Sequence, residues 1–261
     1  MRYLLPENEN QPWFTVDIEC PKKEDLELED GIYGLRKIQK GMDSAKAILE
    51  VQKPDKIITV GGNCIVSQVP FDYLHKRYEN TGILWIDAHP DVSAIKDGYP
   101  YAHAMVVRNL LGKGNTSLAK RVEAPFKAKD ILYVGLQGLH DYQKEFLEEN
   151  KVDYQIQDQQ FISLHKIQSF VQSFDHVLVH LDIDVLDPKG FHSTYFANPE
   201  LTGDGSGGGH MSLEELSRIL QCIDQNGDIV GLSIAEYLPF DEEKLFSLFQ
   251  SIKLFSKGEY E

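Results

Sequence analysis

The sequence predicts an α/β fold of three layers, a mostly parallel sheet with helices on both faces, formed by residues 1–261 as a single domain. Three observations carry this expectation. Short runs rich in β-branched residues alternate with segments of helical period along most of the chain. The run Ile83–Ile86 is continuously apolar and Val177–Leu181 is apolar but for His180, as strands buried on both faces are. Several of these strands end in acidic or metal-binding residues, and in such sheets ligands bind at the carboxyl ends of the strands.

The elements follow in order. Arg2 to Leu5 is predicted as an edge strand, and Glu7 to Asp30, rich in Pro, Glu and Asp, as surface loop. From Gly31 to Val51 the residues Ile32, Leu35, Ile38, Met42, Ala45, Ile48 and Leu49 recur at helical spacing, and Asp43-Ser44 offers a start for a second helix inside that stretch. Pro54-Asp55 breaks the pattern, and Lys56 to Val60 is a β-branched strand. It runs into Gly61-Gly62-Asn63-Cys64, then a helix from Ile65 to Arg77, then the strand Gly82 to Ile86. Tyr101 to Leu111 reads as a short helix, Ile131 to Gly135 as a strand, Asp141 to Glu149 as a helix and Val152 to Ile156 as a strand. Ser163 to Ser173 is helical and His176 to Asp184 is a second apolar strand with an acidic end. Gly203 to Gly209 matches neither the P-loop nor the dinucleotide spacing and reads as a flexible loop. It feeds a helix from Leu213 to Ile223, with Ser212 as N-cap and Glu215 completing a capping box. Asp228 to Ala235 is a strand ending at Glu236, and Glu242 to Phe255 closes the chain as a helix.

The formal charge of −15 opposes a nucleic-acid partner and an anionic membrane surface, since both need clustered Lys and Arg. It suits a cationic small-molecule substrate, although solvated surface accounts for most acidic residues in any such chain. Cys20, Cys64 and Cys222 are too few and too scattered for a disulfide framework. The first residues lack the apolar run of a signal peptide, and no stretch approaches the ~18 apolar residues of a membrane span. The expected compartment is the cytoplasm.

The chemistry concentrates in Asp87-Ala88-His89-Pro90-Asp91. On an extended chain Asp87, His89 and Asp91 leave the same side, roughly 6.5 Å apart from one to the next, and Pro90 marks the change from strand to loop. Asp182 and Asp184 repeat that spacing, Glu236 ends a third strand and Cys64 follows a fourth. A lone strand-end Asp commonly makes an Asx turn, and Asp187 before Pro188 reads as one. The joint arrangement calls for a divalent cation, and better for two. Carboxylates with an imidazole suit hard or borderline ions such as manganese. Two ions sharing a water would deprotonate it near neutral pH.

These residues resemble the arginase/agmatinase (ureohydrolase) family. Asp87 to Asp91 is similar to its Asp-Ala-His-x-Asp motif, and Asp182-Ile183-Asp184-Val185-Leu186-Asp187-Pro188 to its Asp-x-Asp-x-x-Asp-Pro motif. Gly61-Gly62-Asn63-Cys64 matches a Gly-Gly-Asp-His segment at the glycines, and Tyr101-Ala102-His103-Ala104-Met105 stands where the family has a His-Gly loop. The resemblance implies an arginase-like fold and a binuclear manganese site. Asp87 and Asp182 would bridge both ions, Asp91 and Cys64 would complete one, and His89 and Asp184 the other. A bridging hydroxide would attack the carbon of a guanidinium or amidine, His103 would shuttle protons to the leaving amine, and Glu236 would hold the cationic group.

Departures from the family pattern shape the expectation. Cys64 stands where better-known members carry a histidine ligand. A thiolate there opens the site to zinc, iron, cobalt or nickel; otherwise Cys64 is a small buried apolar residue. Ser93 and Tyr99 replace an Asn and a Ser of the arginine-binding pair, Ala104 replaces a glycine, and Gly135-Leu136-Gln137-Gly138 lacks an Arg-Asp run. Arginine itself is therefore not implied. The readings left open are a guanidino-compound hydrolase, a formimino, amidine or amide hydrolase on the same scaffold, and a family member that binds a ligand without turnover. Relatives often assemble as trimers or hexamers, so the resemblance raises a homo-oligomer without fixing it.

Overall fold

The structure, a computed structural model, describes residues 4–18, 26–158, 160–198, 200, 207–240 and 242–255. Cys20, the Arg2–Tyr3 part of the expected edge strand and residues 203–206 of the glycine-rich loop lie outside the described residues.

Five parallel strands form the central sheet. In chain order they are β3 (Ile57–Val60), β4 (Thr81–Ile86), β5 (Ile131–Val134), β6 (His176–Asp182) and β7 (Ile229–Ala235), arranged β3-β7-β6-β4-β5. A separate two-stranded antiparallel ribbon, β1 (Leu28–Glu29) with β2 (Ile32–Tyr33), precedes helix α1 (Leu35–Gln52). The remaining helices are α2 (Gln68–Arg77), α3 (Val106–Leu110), α4 (Asp141–Glu149), α5 (Leu164–Val171), α6 (Leu213–Asn226) and α7 (Glu242–Gln250).

Strand alternation divides the core into two layers. Leu84, Ile86, Val179 and Leu181 face one side with Ile167, Leu216, Ile219, Leu220, Ile223 and Phe249. Ile83, Trp85, Tyr133 and Leu178 face the other with Phe71, Leu74, Val107, Leu110 and Phe146. Each such large side chain stabilises the fold by about 1.5–3 kcal/mol. Leu216, Ile219, Leu220 and Ile223 fall on one stripe of α6, which starts at the expected capping box: Ser212 Oγ accepts the Glu215 N–H. No described helix is long and apolar enough to cross a membrane.

Several elements differ from expectation. Leu4 and Leu5 are not strand but buried members of the core. Helix α1 begins at Leu35, because Gly34 adopts a left-handed φ of 65° that ends the ribbon, and it continues unbroken through Asp43-Ser44. Val152 to Ile156 forms no strand, since the Gln157 side chain takes the backbone partners there: it accepts the Gly135 N–H and donates to the Tyr133 carbonyl. The last helix stops at Gln250, followed by a single 3₁₀ turn at Lys253–Phe255. Asp187 makes the expected Asx turn, accepting the Lys189 N–H.

Candidate metal centre

Four neighbouring strands deliver the site. Cys64 opens a 3₁₀ turn (Cys64–Ser67) after β3, Asp87 follows β4, Asp182 ends β6 and Glu236 follows β7. All lie at the carboxyl rim of the sheet, so residues far apart in sequence meet there. Cys64 Sγ lies 3.0 Å from Asp182 Oδ2. Ligand atoms of Cys64, Asp87, His180 and Asp182 fall within 4.8 Å of one another, as do those of Asp87, His89 and Asp184. Asp87 is common to both groups.

Backbone geometry sets the carboxylates. Asp87 Oδ1 accepts the His89 N–H and Asp182 Oδ1 accepts the Asp184 N–H, the same two-residue loop on adjacent strands. The Trp85 indole N–H donates to Asp87 Oδ2 at 3.0 Å. Asp91 takes a left-handed φ of 51°, held by Val107 and Arg108 N–H groups that donate to its carbonyl. Glu236 is also left-handed, at φ 56°, and its N–H donates to the Gly62 carbonyl. Gly209 passes so close to Val185 that a Cβ there would lie 1.9 Å from its carbonyl oxygen, and its N–H donates to the Asp184 carbonyl. The described end of the glycine-rich stretch is thus a tight packing element beneath the second motif.

The electrostatics are those of crowded, buried acids. Burial pushes the Asp182 carboxyl well up, and Asp184 and Asp87 push it further. Burial and Asp87 do the same to Asp91. The Cys64 thiol is raised by burial and by Asp91, Asp182 and Asp87. Burial opposes the charge on Asp87, but His180 and His89 outweigh it and hold that carboxyl below its usual range. Burial likewise opposes a charged His89, and Asp184 outweighs it, raising the imidazole. Glu236 is pushed up to about 7 by burial, then by Asp184 and Asp87.

A divalent cation fits these residues. Four buried ligand-type atoms, His89 Nε2, Asp91 Oδ2, His180 Nε2 and Asp184 Oδ1, have no hydrogen-bond partner. Leaving such groups unsatisfied is costly, and a cation among the carboxylates would relieve their repulsion and give His180 Nε2 a partner; His89 faces Asp87 and Asp184 through Nδ1, at 3.5 and 3.2 Å.

Of the residues selected from sequence, Cys64, Asp87, His89, Asp182 and Asp184 are brought together. Asp91 stands outside both tight groups, although its charge acts on Cys64. His103 is not in the cluster. It sits on the 3₁₀ turn Ala102–Met105, with its ring 5.9 Å from that of Tyr101 and 6.1 Å from that of Tyr99. It lines a cavity of about 1940 Å³ with Gly62, Asn63, Ile65 and Val66, and none of the clustered ligand residues lines that cavity. The sequence reading missed His180, Trp85 and Phe196, whose ring lies 6.0 Å from that of His89. The two-residue spacing that links Asp182 to Asp184 also reaches back to His180 and could have found it.

Residues 12–252 match the sequence model of the Arginase family. An arginase of Staphylococcus aureus (strain MRSA252) is 23% identical over 207 residues, 76% of this chain but only 65% of that protein. The chain thus spans less than two thirds of that relative's length. The arginase of Entamoeba histolytica, solved in complex with L-ornithine, superposes with a TM-score of 0.72 at 19% identity, covering 90% of this chain and 82% of the other. Formimidoylglutamase of Bacillus subtilis gives 0.60 at 16% identity, covering 86% and 68%. At these identities the solved structures show the shared fold.

Proposed function

Since the chain belongs to the arginase family, whose members are hydrolases acting on C–N bonds in non-peptide linkages, we propose that it hydrolyses the C–N bond of a guanidino compound at a binuclear metal centre. The carrying observation is the convergence of Asp87 with both Cys64/Asp182 and His89/Asp184 at one rim of the sheet. Asp87 and Asp182 would be shared between two ions, Cys64 and Asp91 would complete one, and His89 and Asp184 the other. Manganese fits the carboxylates; the thiol of Cys64 favours zinc, iron, cobalt or nickel at its side. When bound, the ions would supply an activated water and polarise the electrophilic carbon.

The protein groups do the rest. Glu236, half-buried beside the cluster, would receive the cationic end of the substrate, whose charge would draw its carboxyl into the ionised form. His103, on the 3₁₀ turn Ala102–Met105, would carry a proton to the departing amine. The Phe196 ring beside His89 would wall the site from water. A formimino substrate is the second reading. The position that would help bind an amino-acid end of arginine is Ser93, whose hydroxyl is hydrogen-bonded to the Tyr142 hydroxyl at 3.1 Å. A reducing cytoplasm would keep the Cys64 thiol available.

The test is a panel of guanidino and formimino compounds assayed with manganese, zinc, iron, cobalt and nickel, with metal content measured alongside. Urea release with two equivalents of metal per chain supports the guanidino reading. Ammonia or formamide without urea selects the formimino reading, and a chain that takes up no metal under any reconstitution defeats both.

A further inference from the structure

His180 is an unusual residue to find at the bottom of a cluster of acids. It is fully buried, on the same face of β6 as Asp182, and its Nε2 has no hydrogen-bond partner. That nitrogen stands 3.7 Å from Asp87 Oδ2, too far for a hydrogen bond. The opposite nitrogen, Nδ1, is 2.8 Å from Ser67 Oγ. The Trp85 ring stacks on the imidazole, centroids 3.7 Å apart and planes 16° from parallel, and its own N–H holds Asp87. The ring is therefore fixed in tilt by Trp85 and in rotation by Ser67, with Nε2 directed at Cys64, Asp87 and Asp182. A buried imidazole nitrogen with no partner is costly, and one held by a hydrogen bond on its other nitrogen is arranged as metal-binding histidines are.

Cys64 and Ser67 lie on the same single 3₁₀ turn. One local structure thus presents the thiol and orients the imidazole from across the sheet. We propose that His180 Nε2 completes, with Cys64 Sγ, Asp87 and Asp182, a mixed sulfur, nitrogen and oxygen ligand set for the ion on the β3 side, taking the place given above to Asp91, which lies outside both tight groups. The imidazole that the family pattern places at position 64 is supplied instead from strand β6. Such a set prefers zinc or another borderline ion to manganese. The inference deepens the metal-centre reading above and rests on it.

The experiment uses the full chain loaded with zinc, and with cobalt in parallel. Isotope-labelled histidine NMR of the zinc form is expected to show His180 bound through Nε2 with its proton on Nδ1, and cobalt to give a thiolate charge-transfer band that Cys64→Ser removes. His180→Ala should weaken that ion about 10–100-fold, and Ser67→Ala, which only releases the ring, about tenfold. The ion at His89 should stay. If the wild type binds zinc while His180 keeps its proton on Nε2, or if His180→Ala leaves affinity unchanged, His180 is only a neighbour of Asp87 and the proposal is overturned. The wild-type spectra decide even if His180→Ala does not fold. A wild type that binds no metal overturns the metal-centre reading itself, a result distinct from the previous two.

Discussion

Cys64 Sγ and Asp182 Oδ2 lie 3.0 Å apart although 118 residues separate them in the chain. Their strands, β3 and β6, are not even neighbours; β7 runs between them. Contact across an intervening strand requires both side chains to rise above the sheet's carboxyl rim and lean together. Asp182 does so at the end of β6, and Cys64 does so from the turn that follows β3.

Asp182 is therefore expected to be indispensable. Asp182→Ala removes the acceptor facing Cys64 and the loop acceptor of the Asp184 N–H. Metal stoichiometry, measured by elemental analysis, should fall, and turnover should drop below a few per cent. Undiminished metal content would remove Asp182 from the ligand set.

Replacing the thiol should retune the ion preference. Cys64→His exchanges sulfur for nitrogen at a fully buried position and should raise manganese affinity by about tenfold or more, the scale on which changes around a metal act. Competitive titration of manganese against zinc reads this directly; an unaltered ratio would mean that position 64 touches no ion.

His103 stands apart from the cluster, so its substitution should separate chemistry from binding. His103→Ala is expected to lower kcat about 10²–10⁴-fold with metal content intact. Loss of metal in that variant would contradict a proton-transfer role.

Glu123 offers a pH-dependent test away from the site. Lys46 of α1 and Lys76 of α2 both hydrogen-bond to it and lower its carboxyl from 4.5 to about 2. Because the folded value lies below the unfolded one, its contribution is present above 4.5 and is lost as pH falls toward 2. The pair is exposed and screened, so Glu123→Gln should cost less than about 1 kcal/mol near neutrality. Denaturant melts should show that difference shrinking below pH 4.5; a difference that persists undiminished at acid pH would exclude the charge as its source.

Gly209→Ala tests the close passage over Val185. With a Cβ 1.9 Å from that carbonyl oxygen, backbone must move, at about 1–3 kcal/mol. Urea unfolding measures it, and an unshifted midpoint would mean that the loop relocates freely.

Much of this architecture was legible because buried parallel strands leave an unmistakable trace. The run ending at Ile86 is apolar on both faces, the one ending at Asp182 is apolar but for its histidines, and acidic ligand residues follow at two-residue intervals. What was not legible depends on partners distant in sequence. His180 shares the two-residue spacing of Asp182 and Asp184, but that spacing does not show how its ring is held until Trp85 and Ser67 are placed against it. Val152 to Ile156 has strand-like composition, but Gln157 occupies the positions where a neighbouring strand would bond. The ribbon before α1 escaped notice because Ile32 and Leu35 also satisfy a helical period, and only the backbone of Gly34 decides between the two.

The amide of Gln157 has a wider effect. By bonding to Tyr133 and to Gly135 it closes part of the outer margin of β5, where an unfilled row of backbone groups would invite another polypeptide to add itself to the sheet. One side chain thereby occupies backbone groups that an added strand would need, at the margin farthest from β3.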